Sequence, residues 1–347
     1  MTADTPTDLP RVSAVVLAYL AEPWFEKSVF ALLGSRDVAV DVVVVDNGCT
    51  DGAVDRLRDV PGVTVVGDGE NLGFSAGCNL GARHATGGYL ALVNGDLVAD
   101  PAALRRLVEV AGNPEIGIAV GSVRLGDDPQ RINAAGNEIH FLGFSWVGGF
   151  DDPASAHSTA RDVAGAMGAL VVLRKDVWDG FGGFAPEYFA FHEDAELSWR
   201  CWQTGLRVRY VPDAIGVHRY EFGRVKDKMY LAERNRLIFL ATCWQRRSLM
   251  VLAPALLAAE LAVTAAAVAG GWFSAKVSGW RWLLRNRAWL RDRRRVVQGQ
   301  RTVPDGRLAH LMADRLDARN YPLPPMIRPF DRLLAGYWAI ARRLLER

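Results

Sequence analysis

A carboxylate at the end of an apolar run is the first candidate for chemistry in this chain. The run Leu90 to Val93 stops at Asn94-Gly95-Asp96, and Asp100-Pro101 follows shortly after. A short apolar run bounded by turn residues predicts a buried strand. Asp96 would then lie just past the carboxyl end of that strand, where open α/β sheets bind their ligands. The alternative is a plain polar turn, because short turn motifs often match by chance.

A second pair of acids stands at the predicted start of a helix. His192-Glu193-Asp194 precedes the apolar positions Leu197, Cys201 and Trp202, which share one helical face, and Gly205 ends the segment. Acids are favoured at helix N-termini by the helix dipole. The pattern alone therefore leaves open whether Glu193 and Asp194 have a function or are ordinary first-turn residues.

A third candidate acid, Asp46, follows the valine-rich run Asp41 to Val45. An acid after the second strand of a nucleotide-binding sheet can bond a ribose or a base. It can equally cap a helix or close a turn. No G-x-G-x-x-G follows the first strand, since Ala18-Tyr19-Leu20 stands there, and no phosphate-binding G-x-x-x-x-G-K-[ST] occurs. The sequence thus argues against a dinucleotide-dependent dehydrogenase.

The elements that must position these acids alternate between strand and helix patterns. Strands are predicted over Arg11 to Leu20, Asp41 to Val45 and Val63 to Val66, with a helix over Trp24 to Leu33. Such alternation is typical of an α/β fold with a largely parallel sheet. From about 114 to 162 the chain is rich in Gly, Asp and Asn, and strands there cannot be located from the pattern.

Composition limits the partners and the compartment. The 347 residues suit one large domain with an appendage, and the net charge of +2 gives no reason to expect nucleic acid as a partner. The four cysteines form no C-x-x-C pair, which suits a reducing compartment. Asp4 and Asp8 precede the first apolar run, so no signal peptide is expected.

The C-terminal hundred residues differ in character from the rest. Leu249 to Phe273 is long and apolar enough to cross a bilayer, but it contains Pro254 and, near its middle, Glu260. An acid at mid-bilayer costs about 2.5–3.5 kcal/mol on insertion scales. Tryptophans flank the run and arginines follow it, which favours a helical region lying on an anionic membrane surface. A membrane span and a soluble helical subdomain remain the alternatives.

Taken together, the motifs resemble the inverting family 2 glycosyltransferases, which have the GT-A fold. They occur in the family's order over roughly residues 11 to 240, and the likeness is greatest to bacterial rhamnosyl- and galactofuranosyl-transferases. The resemblance implies a GT-A domain over 1–240, with a mixed, mainly parallel sheet, and a helical, membrane-proximal region over 241–347. The matching segments are V-V-L-A-Y, V-V-V-V-D-N-G-C-T-D-G, N-L-G-F-S-A-G-C-N-L-G, Y-L-A-L-V-N-G-D-L-V, A-G-A-M, G-F-G-G-F, Y-F-A-F-H-E-D-A-E-L-S-W-R, Y-V-P-D-A and V-H.

The resemblance also implies residue roles. Asp194 would be the general base toward the acceptor hydroxyl, with Glu193 orienting it. Asp96 and His218 would bind Mg²⁺ or Mn²⁺, although Asn94 replaces the first acid of the family's D-x-D pattern. Ala185 replaces the acid of the family's Phe-Asp-Glu, which leaves the acceptor contact there open. The nucleotide-sugar donor would be bound by Ala18, Tyr19, Asp46, Asn71, Gly73, Phe74, Asn79, Asn94, Gly95, Asp96, Gly165 and Ala166.

The implied activity is transfer of a sugar from a dTDP- or UDP-sugar to a glycan or lipid-linked acceptor, for cell-envelope polysaccharide. The protein would work in the cytoplasm at the inner face of the plasma membrane, with peripheral membrane contact. A non-catalytic sugar-nucleotide or glycan-binding module and a nucleotidyltransferase are the alternatives, because a fold does not fix an activity.

Overall fold

The computed structural model describes residues 9–219, 227–317, 319 and 328–346. The expectation about a signal peptide concerns residues 1–8, which lie outside this part of the chain. The strands are β1 (Arg11–Leu20), β2 (Ala39–Cys49), β3 (Val63–Val66), β4 (Tyr89–Val93), β5 (Leu97–Ala99), β6 (Ile116–Leu125), β7 (Ile132–Ala134), β8 (Asn137–His140), β9 (Ser145–Val147), β10 (Arg161–Asp162), β11 (Leu170–Arg174), β12 (Arg207–His218) and β13 (Met312–Ala313). The helices are α1 (Phe25–Leu33), α2 (Ala53–Leu57), α3 (Gly73–His84), α4 (Ala103–Ala111), α5 (Lys175–Phe181), α6 (Glu193–Gln203), α7 (Lys228–Cys243), α8 (Arg246–Ala269), α9 (Phe273–Arg285), α10 (Arg287–Gly299), α11 (Asp305–Leu308) and α12 (Arg328–Glu346).

One mixed sheet dominates the fold. Its strand order is β10-β12-β6-β11-β4-β1-β2-β3, with β5 paired to β12 and β7 to β6. β1 runs parallel to β2 and β4, so the carboxyl ends of these three strands meet at one edge. β12 runs parallel to β6, whereas β11 runs antiparallel to β4. The predicted mixed α/β sheet is confirmed.

Apolar layers cover both faces of this sheet. Val15 of β1 belongs to the layer that contains Cys78 of α3, whereas Val16 belongs to the layer that contains Leu32 of α1. This alternation follows from the two-residue period of a strand. Because both faces are buried, the central parts of the two strands, Ala14 to Ala18 in β1 and Val42 to Val45 in β2, are continuous apolar runs.

The stretch in which strands could not be located contains β6 to β10. β6 is buried at nine of its ten positions, which removes the alternation that marks a half-exposed strand. β7, β8 and β9 have three or four residues each, too few for periodicity to indicate them. β8 and β9 form a second, three-stranded sheet with β13.

The C-terminal region is helical, as predicted, and it packs on the sheet domain. Leu252 of α8, Val297 of α10 and Trp338 of α12 belong to the same buried cluster as Val15 of β1. The predicted boundary after residue 240 lies within α7, and the division into domains 1–240 and 241–347 stays a prediction.

The apolar run of the C-terminal region forms α8, followed by a break before α9. Among the described residues, α8 is long and apolar enough to cross a membrane by length and composition alone. Its acid, Glu260, is paired with cations from two other helices. The carboxylate lies 2.7 Å from Nη2 of Arg236 and 2.8 Å from Nζ of Lys276, and it accepts a hydrogen bond of 2.8 Å from Nε1 of Trp280.

Candidate active site

Residues predicted to bind the donor lie at the carboxyl ends of three neighbouring strands. Ala18 is paired with Asp46 across β1 and β2, and Tyr19 follows Ala18 at the end of β1. Val16 of β1 is paired with Val93, the last residue of β4, so the segment Asn94 to Asp96 leaves the sheet at the same edge. The fold therefore brings these segments together.

Asp46 closes a turn with one of its two carboxylate oxygens. Its Oδ1 accepts hydrogen bonds from the backbone N–H groups of Gly48 at 3.3 Å and Cys49 at 3.1 Å. The other oxygen, Oδ2, accepts no hydrogen bond from the described residues. A turn and a ligand contact can thus use different oxygens of the same side chain.

The start of α3 is tied to the end of β2 by Asn47, which sequence reasoning missed. The side-chain Oδ1 of Asn47 accepts a hydrogen bond of 2.8 Å from the Leu72 N–H, and Asn71 Oδ1 accepts one of 2.9 Å from the Gly73 N–H. Gly73 has φ +78°, and a Cβ there would come within 2.6 Å of the Phe189 carbonyl oxygen. Only glycine fits this close approach between α3 and the segment before α6.

Asn79 and Phe74 both contact Phe184, in the loop that follows α5. The Asn79 amide exchanges two hydrogen bonds with the backbone of Phe184, at 2.9 and 3.0 Å. Phe74 lies 6.1 Å from the ring of Phe184 and next to Gly168. Asn79 therefore holds the loop that follows α5, and a contact with the donor stays a prediction for both residues.

Asp96 and His218 meet because β5 pairs antiparallel with β12. His218 is paired with Leu97 in this register, and its Nε2 lies 2.9 Å from Oδ1 of Asp96. The other ring nitrogen, Nδ1, lies 2.9 Å from Oδ1 of Asn133, a β7 residue that sequence reasoning did not identify. Asn94 approaches His218 with its amide nitrogen, 3.4 Å from Nε2.

The donor set of this pair fits a divalent cation that is only partly coordinated by protein. A carboxylate oxygen and an imidazole nitrogen are acceptable ligands for Mn²⁺, and the oxygen suits Mg²⁺. Among the described residues, no group of three or more His, Cys, Asp and Glu side chains could hold a metal. A bound diphosphate or water would supply further oxygen ligands.

Asp194 is held against the sheet by residues from two other segments. Its Oδ2 accepts hydrogen bonds from the Gly168 N–H at 3.2 Å and from Nδ2 of Asn137 at 3.3 Å. The next residue, Ala169, accepts a hydrogen bond of 3.0 Å at its carbonyl oxygen from the Asn94 N–H. Two consecutive residues thus connect Asp194 to the segment that carries Asp96.

Gly165 and Ala166 lie beside Asp194 and join it to β8. The backbone of Gly165 exchanges hydrogen bonds of 2.7 and 3.0 Å with the backbone of Asn137. The Ala166 N–H donates to Oγ of Ser198 at 2.9 Å, and the Ser198 hydroxyl donates to the Asp194 carbonyl oxygen at 2.6 Å. These contacts order the segment around Asp194, and the donor role of Gly165 and Ala166 stays a prediction.

The segment before α6 has an unusual backbone that α7 stabilises. Phe189, Phe191 and His192 have φ of +63°, +70° and +68°, values that residues other than glycine rarely adopt. Nδ2 of Asn235 lies 2.8 Å from the Ala190 carbonyl oxygen and 2.7 Å from that of Phe191. Nη2 of Arg234 donates to the Tyr188 carbonyl oxygen at 2.9 Å. The sequence analysis did not identify Arg234 and Asn235 as part of the site, because they match no motif.

Burial shifts the titration of all three residues at the start of α6. It raises the pKa of Asp194 to about 6, although hydrogen bonds from Gly168, Ala195 and Asn137 lower it. It raises the pKa of Glu193 well above the ordinary value, and the charge of Asp194 adds to this. It lowers the pKa of His192 to about 4, so at neutral pH the uncharged ring contacts the Gly143 carbonyl oxygen at 3.1 Å. A carboxylate with a pKa near neutrality suits general base catalysis.

Curated relatives of this chain transfer sugars to lipid-linked molecules, according to their names. An N-acetylglucosaminyl-diphospho-decaprenol L-rhamnosyltransferase of Mycobacterium tuberculosis is 26% identical over 264 residues, covering 68% of this chain and 85% of the relative. A glucosyl-dolichyl phosphate glucuronosyltransferase of Haloferax volcanii is 27% identical over 257 residues, covering 70% and 77%.

Family and fold comparisons agree with these relatives. The structure of GalNAc-T7 with UDP, GalNAc and Mn²⁺ superposes with a TM-score of 0.58 at 14% identity, covering 69% of this chain and 49% of that one. This likeness confirms the predicted GT-A fold. Residues 13–181 match the model of the family Glycosyl transferase family 2. Residues 13–181 therefore form a glycosyltransferase domain of family 2, with homology to bacterial rhamnosyltransferases, as the motifs predicted.

Proposed function

We propose that this protein is an inverting glycosyltransferase that moves a sugar from a nucleotide-diphosphate donor to a hydroxyl of a glycan or lipid-linked acceptor. One observation carries the proposal: Gly168 contacts Asp194, and its neighbour Ala169 contacts Asn94. The candidate base and the candidate donor site are therefore connected through two consecutive residues, Gly168 and Ala169. A dTDP- or UDP-sugar is the favoured donor, and cell-envelope polysaccharide the favoured product.

The chemistry needs few groups from the chain. The acceptor oxygen attacks the anomeric carbon from the face opposite the diphosphate, and the bond from that carbon to the diphosphate breaks. Asp194 takes the proton of the acceptor hydroxyl as the new glycosidic bond forms. A single displacement of this kind inverts the anomeric centre.

Asp96 and His218 would hold a divalent cation, Mg²⁺ or Mn²⁺, beside the diphosphate. When bound, such an ion neutralises negative charge on the leaving group. Asp46, Tyr19 and the segment from Asn71 to Phe74 would hold the nucleoside. These assignments rest on the shared sheet edge and on the resemblance of the motifs.

A lipid-linked acceptor is supported by the names of the relatives and by an apolar surface on α8. The side chains Met250, Leu257, Leu261 and Val268 are 62–70% exposed and are spaced by seven, four and seven residues, so they share one helix face. We call these four side chains the α8 stripe. α12 contacts α8 through the hydrogen bond from the Tyr337 hydroxyl to the Val251 carbonyl oxygen.

We infer that the α8 stripe rests on the inner surface of the plasma membrane and does not lie inside a span. Glu260 on the same helix is turned toward Arg236 and Lys276, which are each 1% exposed in their side chains. A helix that pairs its one acid with cations of the protein and exposes an apolar face suits an interfacial position. The arginines Arg281, Arg285, Arg287, Arg291 and Arg295 are exposed and would face anionic lipid.

The decisive experiment measures which product leaves the donor. Purified protein is incubated with dTDP-, UDP- or GDP-sugars, Mn²⁺ and a polyprenyl-diphosphate sugar, with Asp194→Asn as the matched control. Release of nucleoside diphosphate by the wild type alone supports the proposal. Release of pyrophosphate would indicate a nucleotidyltransferase, and binding without turnover a non-catalytic module.

A further inference from the structure

The amide of Asn137 contacts the side chain of the candidate base in a fixed orientation. Its Nδ2 lies 3.0 Å from the carbonyl oxygen of Ala166 and 3.3 Å from Oδ2 of Asp194. A carbonyl oxygen can only accept, so the nitrogen and not the oxygen of the amide must face Ala166. Asn137 is 8% exposed, and the same nitrogen therefore donates to Asp194 in a nearly buried place.

The donors around Asp194 are divided unequally between its two oxygens. Oδ2 accepts from Asn137 and from the Gly168 N–H, whereas Oδ1 accepts from the Ala195 N–H at 2.7 Å. An ionised carboxylate has about four sites for accepting hydrogen bonds. Donors from the described residues use two sites on Oδ2 and one on Oδ1, so the remaining site is on Oδ1.

We propose that Asn137 is a positioning residue, which anchors Oδ2 of Asp194 and leaves Oδ1 as the atom that accepts the proton from the acceptor hydroxyl. The inference rests on the proposed function. Asn137 touches neither donor nor acceptor in this role and acts through Asp194.

The hydrogen bonds that Asn137 makes through its backbone do not require an asparagine side chain at this position. The hydrogen bonds between Asn137 and Gly165 are made by main-chain atoms and would persist with another residue at this position. The side chain adds a donor beside an ionised carboxylate. Such charge-assisted hydrogen bonds stabilise the charged form and so lower its pKa.

Within the described residues, few other ionisable groups lie near this carboxylate. On α6 itself Glu193 adjoins Asp194, and on α3 the Cys78 thiol interacts with Glu193. On α7, Glu233 and Arg236 are paired with each other at 3.0 Å and act on His192. From β8 and the segment 165–168, the contacts to the Asp194 carboxylate come from the uncharged Asn137 and Gly168. Loss of the Asn137 donor is therefore expected to raise the pKa of Asp194 further.

The test compares Asn137→Ala and Asn137→Asp with the wild type. Carboxyl ¹³C spectra of full-length protein with labelled aspartate follow the titration of Asp194, whose signal is identified by its loss in Asp194→Asn. We expect the midpoint in Asn137→Ala to rise by about one pH unit, a tenfold change in the dissociation constant. Asn137→Asp keeps the shape and adds a charge, so its midpoint should rise at least as far.

A matched control perturbs the same segment without touching the carboxylate. Ser198→Ala removes the hydroxyl that accepts from the Ala166 N–H, and the Asp194 midpoint should stay in place. Thermal melting identifies any variant that fails to fold. If Asn137→Ala fails to fold, the isosteric variant Asn137→Asp is compared with the wild type instead. Unmoved midpoints in folded Asn137 variants would overturn the proposal.

Kinetics separate positioning from a merely structural role. In Asn137→Ala, release of nucleoside diphosphate should fall about fivefold at pH 6, about tenfold at lower pH, and approach the wild-type rate at high pH, with the donor KM little changed. An equal loss at every pH would mean that Asn137 only supports the fold. If the wild type releases no nucleoside diphosphate, the proposed function fails, while the ¹³C titration still decides the role of Asn137.

Discussion

Nε2 of His218 lies 2.9 Å from Oδ1 of Asp96, although 122 residues separate them in the chain. The antiparallel pairing of β12 with the short strand β5 creates this contact, since His218 is the register partner of Leu97. Asp96 has 16% of its side chain exposed and His218 4%, so solvent reaches the pair mainly through Asp96. The two residues are therefore expected to act together.

The first prediction concerns this pair. Asp96→Ala should abolish release of nucleoside diphosphate and weaken donor binding in the presence of Mn²⁺, because the carboxylate would be a metal ligand. Isothermal titration with and without Mn²⁺ measures the binding. The metal would have no part in the reaction if the wild type kept full activity in excess EDTA.

Asn133 should raise the metal affinity of the same site through its contact with His218. Its Oδ1 lies 2.9 Å from Nδ1 of His218 and fixes the ring, and loss of such an outer partner typically weakens metal affinity about 10–100-fold. Asn133→Ala should therefore bind Mn²⁺ more weakly, measured by electron paramagnetic resonance of free Mn²⁺. Asn133→Asp keeps an acceptor toward Nδ1 and serves as the control. Equal affinity in Asn133→Ala and wild type would contradict this role.

Sequence patterns reached Asp96, Asp194 and Asp46 because each ends or begins an element with a clear signal. They missed Asn133 and Asn137, which lie in the short strands β7 and β8, where Asn looks like a turn residue. They also left Glu260 as an isolated acid in an apolar helix. Its partners Arg236 and Lys276 lie on α7 and α9, and such pairs depend on how helices pack.

The second acid of the His-Glu-Asp segment is expected to be the base. Asp194→Asn keeps the shape of the side chain and removes its basicity, so turnover should fall by about 10²–10⁴ with donor affinity near normal. Steady-state rates and donor binding measure the two effects separately. Glu193→Gln is the comparison, since Glu193 is buried and its pKa is raised well above the ordinary value. A severe loss in Glu193→Gln with a mild one in Asp194→Asn would exchange the two roles.

The raised pKa of Asp194 should cost stability at neutral pH. Its folded-state pKa is raised from 3.8 to about 6, so the folded protein holds this proton more tightly than the unfolded chain does. Stability from this group is therefore complete below pH 3.8 and is lost as the pH rises toward 6. Asp194→Asn removes this penalty. The free energy of unfolding of the variant, relative to that of the wild type, should therefore increase by roughly 1 kcal/mol as the pH rises from 5 to 7.5. Urea unfolding at several pH values measures this, and a difference independent of pH would contradict it.

The last prediction concerns the α8 stripe. If it rests on a membrane, the full-length protein should sediment with liposomes containing anionic lipid and be released as salt rises, because screening weakens the contribution of the arginines. The double variant Leu257→Glu and Leu261→Glu should lose this binding. Both side chains are 64% exposed, so the fold should tolerate the change. Phe30→Glu on α1, where the side chain is 50% exposed, is the matched control.

Three outcomes of this sedimentation separate the ways in which α8 could be used. Release by salt, together with loss of binding in the α8 stripe variant but not in Phe30→Glu, supports attachment at the interface. Binding that resists salt and needs detergent would indicate a span, and Glu260 would then have to keep Arg236 and Lys276 as partners within the bilayer. Wild-type protein that stays in the supernatant at low salt would make α8 a structural helix. In that case the α8 stripe gives no reason to expect an acceptor in the membrane.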